Sequence, residues 1–236
     1  MKNWFNTKYY HILYKNRDEQ EAQRFLNNLL ATLRPSKSDI FLDVACGKGR
    51  HSHYINSLGF QVFGIDNADQ NIIWANQNSN ENCHFEVFDM REAYKKKYFD
   101  FCLNLFTSFG YFEDEKDNLL AFIAMAQNLK PGGKLVFDFM NSKKVINTLV
   151  ESEIKKVDNL TFNIKRNFDS KFITKKISFF DDKNYTFEEK VRALFLSDFS
   201  DLLEKAGLNI INVWGDYELN DFDVINSNRL IILAQK

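Results

Sequence analysis

Three aspartates, Asp43, Asp66 and Asp89, each close a short apolar run, and the first run leads into the loop Ala45-Cys46-Gly47-Lys48-Gly49. A glycine-rich turn between a strand and a helix lets a ligand approach the backbone closely. It also lies outside strand carboxyl ends, where open α/β sheets bind their ligands. Glycines alone serve several cofactors, so the neighbours must narrow the choice. No Gly-Lys-Ser/Thr follows the loop, which disfavours a phosphate-cradling P-loop. The spacing is Gly47-x-Gly49-x-x-Ser52, an imperfect match to the three-glycine dinucleotide pattern. Asp43, placed before the glycines, opposes a pyrophosphate and suits a cationic ligand. Asp66, about 20 residues past the loop, can accept both hydrogen bonds of a ribose diol, a device that nicotinamide sites share. Asp89 can accept from an adenine amino group while the next backbone N–H donates to the ring and Met90 packs on its face. Taken in chain order, the three would line up a charged tail, a ribose and an adenine.

Those residues need a frame. Asn16 to Leu33 carries Ala22, Phe25, Leu26, Leu29, Leu30 and Leu33 at helical spacing, with Pro35 to stop it. Strands are expected at 40–44, 61–65, 84–88, 99–105 and 134–140, with helices near 50–58, 67–78 and 114–129 between them. The turn signal Lys130-Pro131-Gly132-Gly133 precedes the fifth strand. Strands and helices alternating at this spacing imply parallel βαβ units with right-handed crossovers, an α/β doubly wound Rossmann-like sheet. After Asn141 the pattern changes. A helix at 142–150 leads into 154–196, where alternation as in Phe162-x-Ile164 predicts an antiparallel β meander with one wet face. A helix at 197–206 and strands at 208–214 and 229–234 close the chain. Residues 1–141 with 197–236 are therefore expected as the main domain, and 142–196 as an inserted helix and antiparallel subdomain.

The ordered series DVACGKGR, GID, FDM, NLFTSFGY and LKPGGKLVFD resembles the motifs of class I S-adenosylmethionine-dependent methyltransferases. The resemblance spans roughly residues 35–140, and the last helix and two strands fit the same fold. It implies a seven-stranded sheet of order 3-2-1-4-5-7-6 with the last strand antiparallel. It implies S-adenosyl-L-methionine as cofactor, held by Asp43, Ala45, Cys46, Gly47, Asp66, Asn67, Asp89 and Met90, with Asn104 also in reach. Phe106, Phe109 and Tyr111, after the fourth strand, would wall an acceptor pocket. The whole-chain pattern is more loosely similar to small-molecule methyltransferases with an antiparallel insertion before the last helix, amino-sugar N,N-dimethyltransferases among them.

No residue declares itself as a catalytic base. Tyr10, Tyr111 and Arg192 are the weak candidates. Tyr9, Tyr10 and Tyr14 could cover the site from the N-terminal segment, an aromatic face that favours a sulfonium. Arg166 and Arg192 in the meander could bind an anionic acceptor, although cross-strand charge pairing competes with that reading. His51 and His53, at i and i+2, do not face the same way, so no metal site is expected and a helix surface or rim is. Cys46 reads as a small side chain beneath a crowded turn.

Composition bounds the partners. The 236 residues carry a formal net charge of −1, without the basic excess of a phosphate-gripping domain. Asn104-Leu-Phe-Thr replaces the [DN]-P-P-[YF] of nucleobase-amino methylation, and no proline neighbours a cysteine. Nucleic acid is thus unexpected, and a small-molecule acceptor is preferred, methylated on N or O. Three scattered cysteines fit a reducing cytosol. The N-terminus lacks a signal-peptide core and no apolar run spans a membrane, so a cytoplasmic monomer or homodimer is expected. A non-catalytic cofactor-binding module, an RNA or protein methyltransferase and a nicotinamide oxidoreductase remain as alternatives.

Overall fold

A computed structural model describes residues 2–15 and 19–236. The first five strands are β1 (Ile40–Val44), β2 (Gln61–Asp66), β3 (Cys83–Val87), β4 (Phe99–Asn104) and β5 (Leu129–Met140). β1, β2 and β4 are apolar on both faces because helices cover each side, which is why they read as near-continuous hydrophobic runs. Two short helices, α1 (Lys2–Phe5) and α2 (Lys8–Leu13), precede the long α3 (Glu19–Leu33). α4 (Arg50–Ser57), α5 (Asp69–Ala75) and α6 (Glu115–Asn128) connect the parallel strands. α3 buries Ala22, Phe25, Leu26, Leu29 and Leu33 against the sheet, the face its spacing predicts. The start expected for that helix at Asn16 lies outside the described residues.

After β5 come α7 (Ser142–Asn147), then β6 (Ser152–Val157), β7 (Leu160–Phe168), β8 (Phe172–Phe180) and β9 (Asn184–Arg192). α8 (Leu196–Lys205), β10 (Asn209–Trp214) and β11 (Arg229–Gln235) finish the chain. The large sheet runs β10-β11-β5-β4-β1-β2-β3, which is the expected 3-2-1-4-5-7-6 order. β11 is antiparallel to both its neighbours, as expected of the last strand. β6 to β9 form a separate four-stranded antiparallel meander, as the alternation implies.

Two local differences have plain causes. The helix after Asn141 ends at Asn147, three residues before the expected Val150, with Thr148 as its cap. The Lys130–Gly133 turn does not precede β5 but bulges within it. Phe99 pairs Leu129 and Phe101 pairs Lys134, so the extra residues loop out around Gly132, whose φ is 79°.

The meander's dry face carries Leu160, Phe162, Ile164, Ile177 and Phe179. Trp4, Tyr9 and Leu13 of α1 and α2 cover it. The N-terminal helices thus tie the inserted sheet to the rim where β1 to β4 end.

Candidate active site

The loop after β1 turns on three left-handed residues, Ala45 (φ 59°), Gly47 (φ 57°) and Gly49 (φ 78°). Gly49 caps α4, and a Cβ there would lie 2.7 Å from the Phe85 ring. Gly47 differs, because a Cβ built on it would meet nothing within 4 Å. Its bare face looks into open space, so a ligand can lie directly on the backbone there. Cys46 points the other way, buried among Ile72, Ala75, Cys83 and Phe85. Burial pushes its thiol well above the ordinary range, so it is an inert filler beneath the turn.

Asp66 braces this loop. Its Oδ2 accepts the Gly47 N–H at 2.9 Å and its Oδ1 accepts the Ala68 N–H at 2.8 Å. Burial raises its pKa and those two amides pull it back. Asp43 is 1% exposed and accepts the Ser52 hydroxyl at 2.6 Å through Oδ2. Burial lifts its carboxyl to about 7, against the pull of Ser52. A carboxylate so placed gains from any cation brought alongside it.

Both aspartates open on a cavity of about 1330 Å³ at the carboxyl ends of the strands. Ala45, Cys46, Gly47, Asn67, Asp89 and Met90 line it too. Asp89 is gripped by Arg91, whose Nε and Nη2 donate to Oδ1 and Oδ2 at 3.1 and 2.6 Å, while Nη1 reaches Asp117 at 2.9 Å. Its carboxylate is thus paired with a guanidinium along one edge, while the side chain stays 38% exposed.

Other predicted residues fall elsewhere. Asn104 is fully buried, outside the cavity wall, and its Nδ2 donates to the Val44 carbonyl at 3.0 Å. It clips β4 to β1 beneath the loop. Arg192 is not brought to the cavity either. It is 4% exposed, donates to Glu115 and to the Glu113 carbonyl, and lies outside the cavity wall. A buried cation needs such partners, and both terminal nitrogens are directed at the start of α6 rather than at the cavity. Arg166 likewise pairs with Glu153 at 2.5 Å.

Tyr10 and Tyr111 do line the cavity, as do Phe106 and Phe109. Tyr10 stands edge-on to Phe5, and Phe5 in turn to Tyr111, so the N-terminal helices meet the post-β4 loop across the cavity. Tyr14 lines it as well, whereas Tyr9 turns onto Phe179 and Tyr185 of the meander.

His51 and His53, expected on a helix surface or rim, both belong to the cavity wall. α4 is flanked on both sides, so even positions two apart are covered. His51 stacks on Phe106 at 4.9 Å, and His53 lies against Phe85 and 3.8 Å from Cys83. His11, on α2, has its pKa lowered to about 4 by burial and by Lys48, so it is neutral at pH 7.

Sequence reasoning missed one anchor. Phe106 and Thr107 are consecutive left-handed non-glycines, with φ of 58° and 59°. Asp138 of β5 holds them there. Its Oδ2 accepts the Phe106 N–H at 2.8 Å and its carbonyl accepts the Thr107 N–H at 3.0 Å. Arg229 of β11 pairs with the same carboxylate at 2.7 Å and donates to the Thr107 hydroxyl. A lone acid inside an apolar strand run, between Phe137 and Phe139, was the available signal.

Comparison with known proteins follows the same lines. A family model described as a methyltransferase domain matches residues 35–190. The chain belongs to this family. It is 28% identical over 215 residues to YqeM of Bacillus subtilis, provisionally named a methyltransferase, covering 86% of this chain and 85% of that one. Among solved structures, an S-adenosylmethionine-dependent methyltransferase from Clostridium acetobutylicum superposes with a TM-score of 0.80 at 20% identity, covering 96% of this methyltransferase and 95% of the other. CalS10, an amino pentose methyltransferase from Micromonospora echinaspora determined with S-adenosylmethionine bound, gives 0.72 at 18% identity and 97% coverage of both chains. These likenesses establish a shared fold. No helix among the described residues is long and apolar enough to cross a membrane.

Proposed function

We infer that this methyltransferase moves a methyl group from S-adenosylmethionine to a nitrogen or oxygen of a small-molecule acceptor. The observation that carries the reading is the bare face of Gly47 beside the Asp66 carboxylate, opening on one continuous cavity. That cavity exceeds the usual ~300–1,000 Å³ of a single-ligand pocket, which leaves space for a donor and an acceptor together. When bound, the cofactor would supply a methyl group already activated by its sulfonium.

The residues divide the remaining work. The Ala45–Gly47 backbone would cradle the methionine end, with the Asp43 carboxylate beneath it favouring a cation. Asp66 keeps lone pairs beyond the two amides it braces, and these would accept the ribose hydroxyls, with Asn67 alongside. Met90 and Phe88 would sandwich the adenine, whose amino group would approach Asp89 at the edge held by Arg91. Asn104 would act from below by fixing β4 against β1. The post-β4 loop and the N-terminal tyrosines would orient the acceptor so that its heteroatom lies ~3 Å from the methyl carbon, in line with sulfur. Likeness to an amino pentose enzyme supports a small acceptor, and 142–196 would act as a pocket-shaping insertion in the main domain. Three buried free thiols suit the cytoplasm, in a monomer or a homodimer.

The test is incubation of the protein with methyl-labelled S-adenosylmethionine and a cell extract separated into metabolite, RNA and protein fractions. Label in the metabolite fraction is expected. Label confined to RNA or protein would overturn the small-molecule reading, and tight binding with no transfer at all would leave a binding module.

A further inference from the structure

Resting on that reading, we propose that Glu189 is a catalytic residue that anchors an amine acceptor and takes its proton. Among the described residues, Glu189 is the one member of segment 142–196 that lines the cavity. The inserted sheet thus reaches the site through a single side chain, and that side chain is a carboxylate.

Its surroundings hold it rigidly and leave acceptor capacity on the carboxylate. The Trp4 Nε1–H donates to Oε1 at 2.7 Å. The Tyr14 hydroxyl stands 2.7 and 2.8 Å from Oε1 and Oε2 and has one proton to give. Lys175, opposite Glu189 on β8, donates to the Tyr14 hydroxyl and lies 3.7 Å from Oε2, too far for a direct hydrogen bond. A carboxylate has about four lone-pair positions, so Oε2 retains capacity towards the cavity. The side chain is 12% exposed, so a hydrogen bond made there is little screened.

The charges select the acceptor. An ionised carboxylate acceptor would meet Glu189 head-on. An amine would place an N–H on Oε2, and it reacts in its uncharged form, which keeps the nucleophilic lone pair. The nitrogen then forms its bond to the methyl carbon as the carbon–sulfur bond breaks, the electron pair staying on sulfur. The positive charge passes from sulfur to nitrogen, and the surplus N–H proton goes to Glu189 and on to water. Tyr10, Tyr14 and Tyr111 line the same space, and their rings would stabilise that cation before and after transfer.

The test uses the full chain loaded with S-adenosylhomocysteine and three matched probes, cyclohexylamine, cyclohexanol and cyclohexanecarboxylate, followed by saturation-transfer NMR titration. The wild type should bind the amine in preference to the carboxylate. Glu189→Gln should weaken the amine about tenfold while S-adenosylhomocysteine affinity is unchanged. Tyr14→Phe, which keeps the carboxylate, should preserve the preference for amine over carboxylate. Equal binding of amine and carboxylate by the wild type would overturn the proposal, as would an undiminished amine affinity in Glu189→Gln. A Glu189 that merely ties α1 and α2 to the meander would not discriminate probes by charge. Should Glu189→Gln fail to bind S-adenosylhomocysteine, the three-probe comparison on the wild type decides alone. Failure of the wild type to bind S-adenosylhomocysteine at all would instead sink the broader functional reading.

Discussion

Replacement of Asp66 by alanine separates recognition from scaffolding. The carboxylate braces the loop through the Gly47 and Ala68 amides at 2.9 and 2.8 Å. Hydrogen bonds to a charged group contribute about 1.5–3 kcal/mol each. Two effects shrink the cost to the empty protein. Burial already raises the Asp66 pKa, so its desolvation offsets part of the gain, and both freed amides sit on a cavity wall where water can reach them. The expected loss of stability is about 1 kcal/mol. The ribose has no such substitute, because its diol would face a methyl group inside the cavity. The loss of binding is about 2–3 kcal/mol, a dissociation constant raised about 30- to 150-fold. Calorimetric titration with S-adenosylhomocysteine, run beside urea unfolding of both proteins, reads the two effects separately. A dissociation constant within about twofold of wild type, in a folded variant, would refute ribose recognition and leave Asp66 as a loop brace.

Three further outcomes are expected. Gly47→Ala should fold with a penalty of about 1–2 kcal/mol for its positive φ, since nothing obstructs the new methyl, yet bind S-adenosylhomocysteine markedly less well; unchanged affinity by calorimetry would move the ligand off this loop. Asp43 has a folded pKa of about 7, above its unfolded value, so its contribution is full at low pH and is lost as pH rises through that range. Asp43→Asn should flatten the fall in melting temperature between about pH 4 and pH 8, and identical slopes in the two proteins would count against the buried acid. Asp138→Ala should cost about 3 kcal/mol in urea unfolding, the low end for a buried ion pair because Arg229 keeps some contact with solvent; a loss below about 1 kcal/mol would mean that the Phe106–Thr107 turn holds itself.

The parts readable in the sequence are those set by local pattern. The bounds expected for β1 match the structure because its apolar run meets an aspartate and a glycine turn; β2, whose run closes at Asp66, and β4, whose run ends near Asn104, each end within a residue of expectation. The sheet order followed from the family's motifs, since periodicity alone does not choose which strand lies next to which. What could not be read depends on contacts between distant residues. Nothing near Arg91 in the chain says that its guanidinium folds back on Asp89 and also reaches Asp117. Arg192 looked available for an anion because Glu115 is 77 positions away. The spacing of His51 and His53 reports only their relative direction, so it gives a helix surface or rim and not that Phe106 comes to stack on His51. The pairing of Trp4 and Tyr14 with Glu189 spans nearly the whole chain, and no period records it.

The central claim is that a cationic nucleoside without phosphates lies along Gly47, Asp66 and Met90. Competitive calorimetry of the wild-type protein with S-adenosylmethionine, S-adenosylhomocysteine and NADH tests it most directly. Saturable binding of both sulfur compounds, displaced by neither NADH nor inorganic pyrophosphate, is the predicted result. Tighter binding of NADH, or displacement by pyrophosphate, would contradict it.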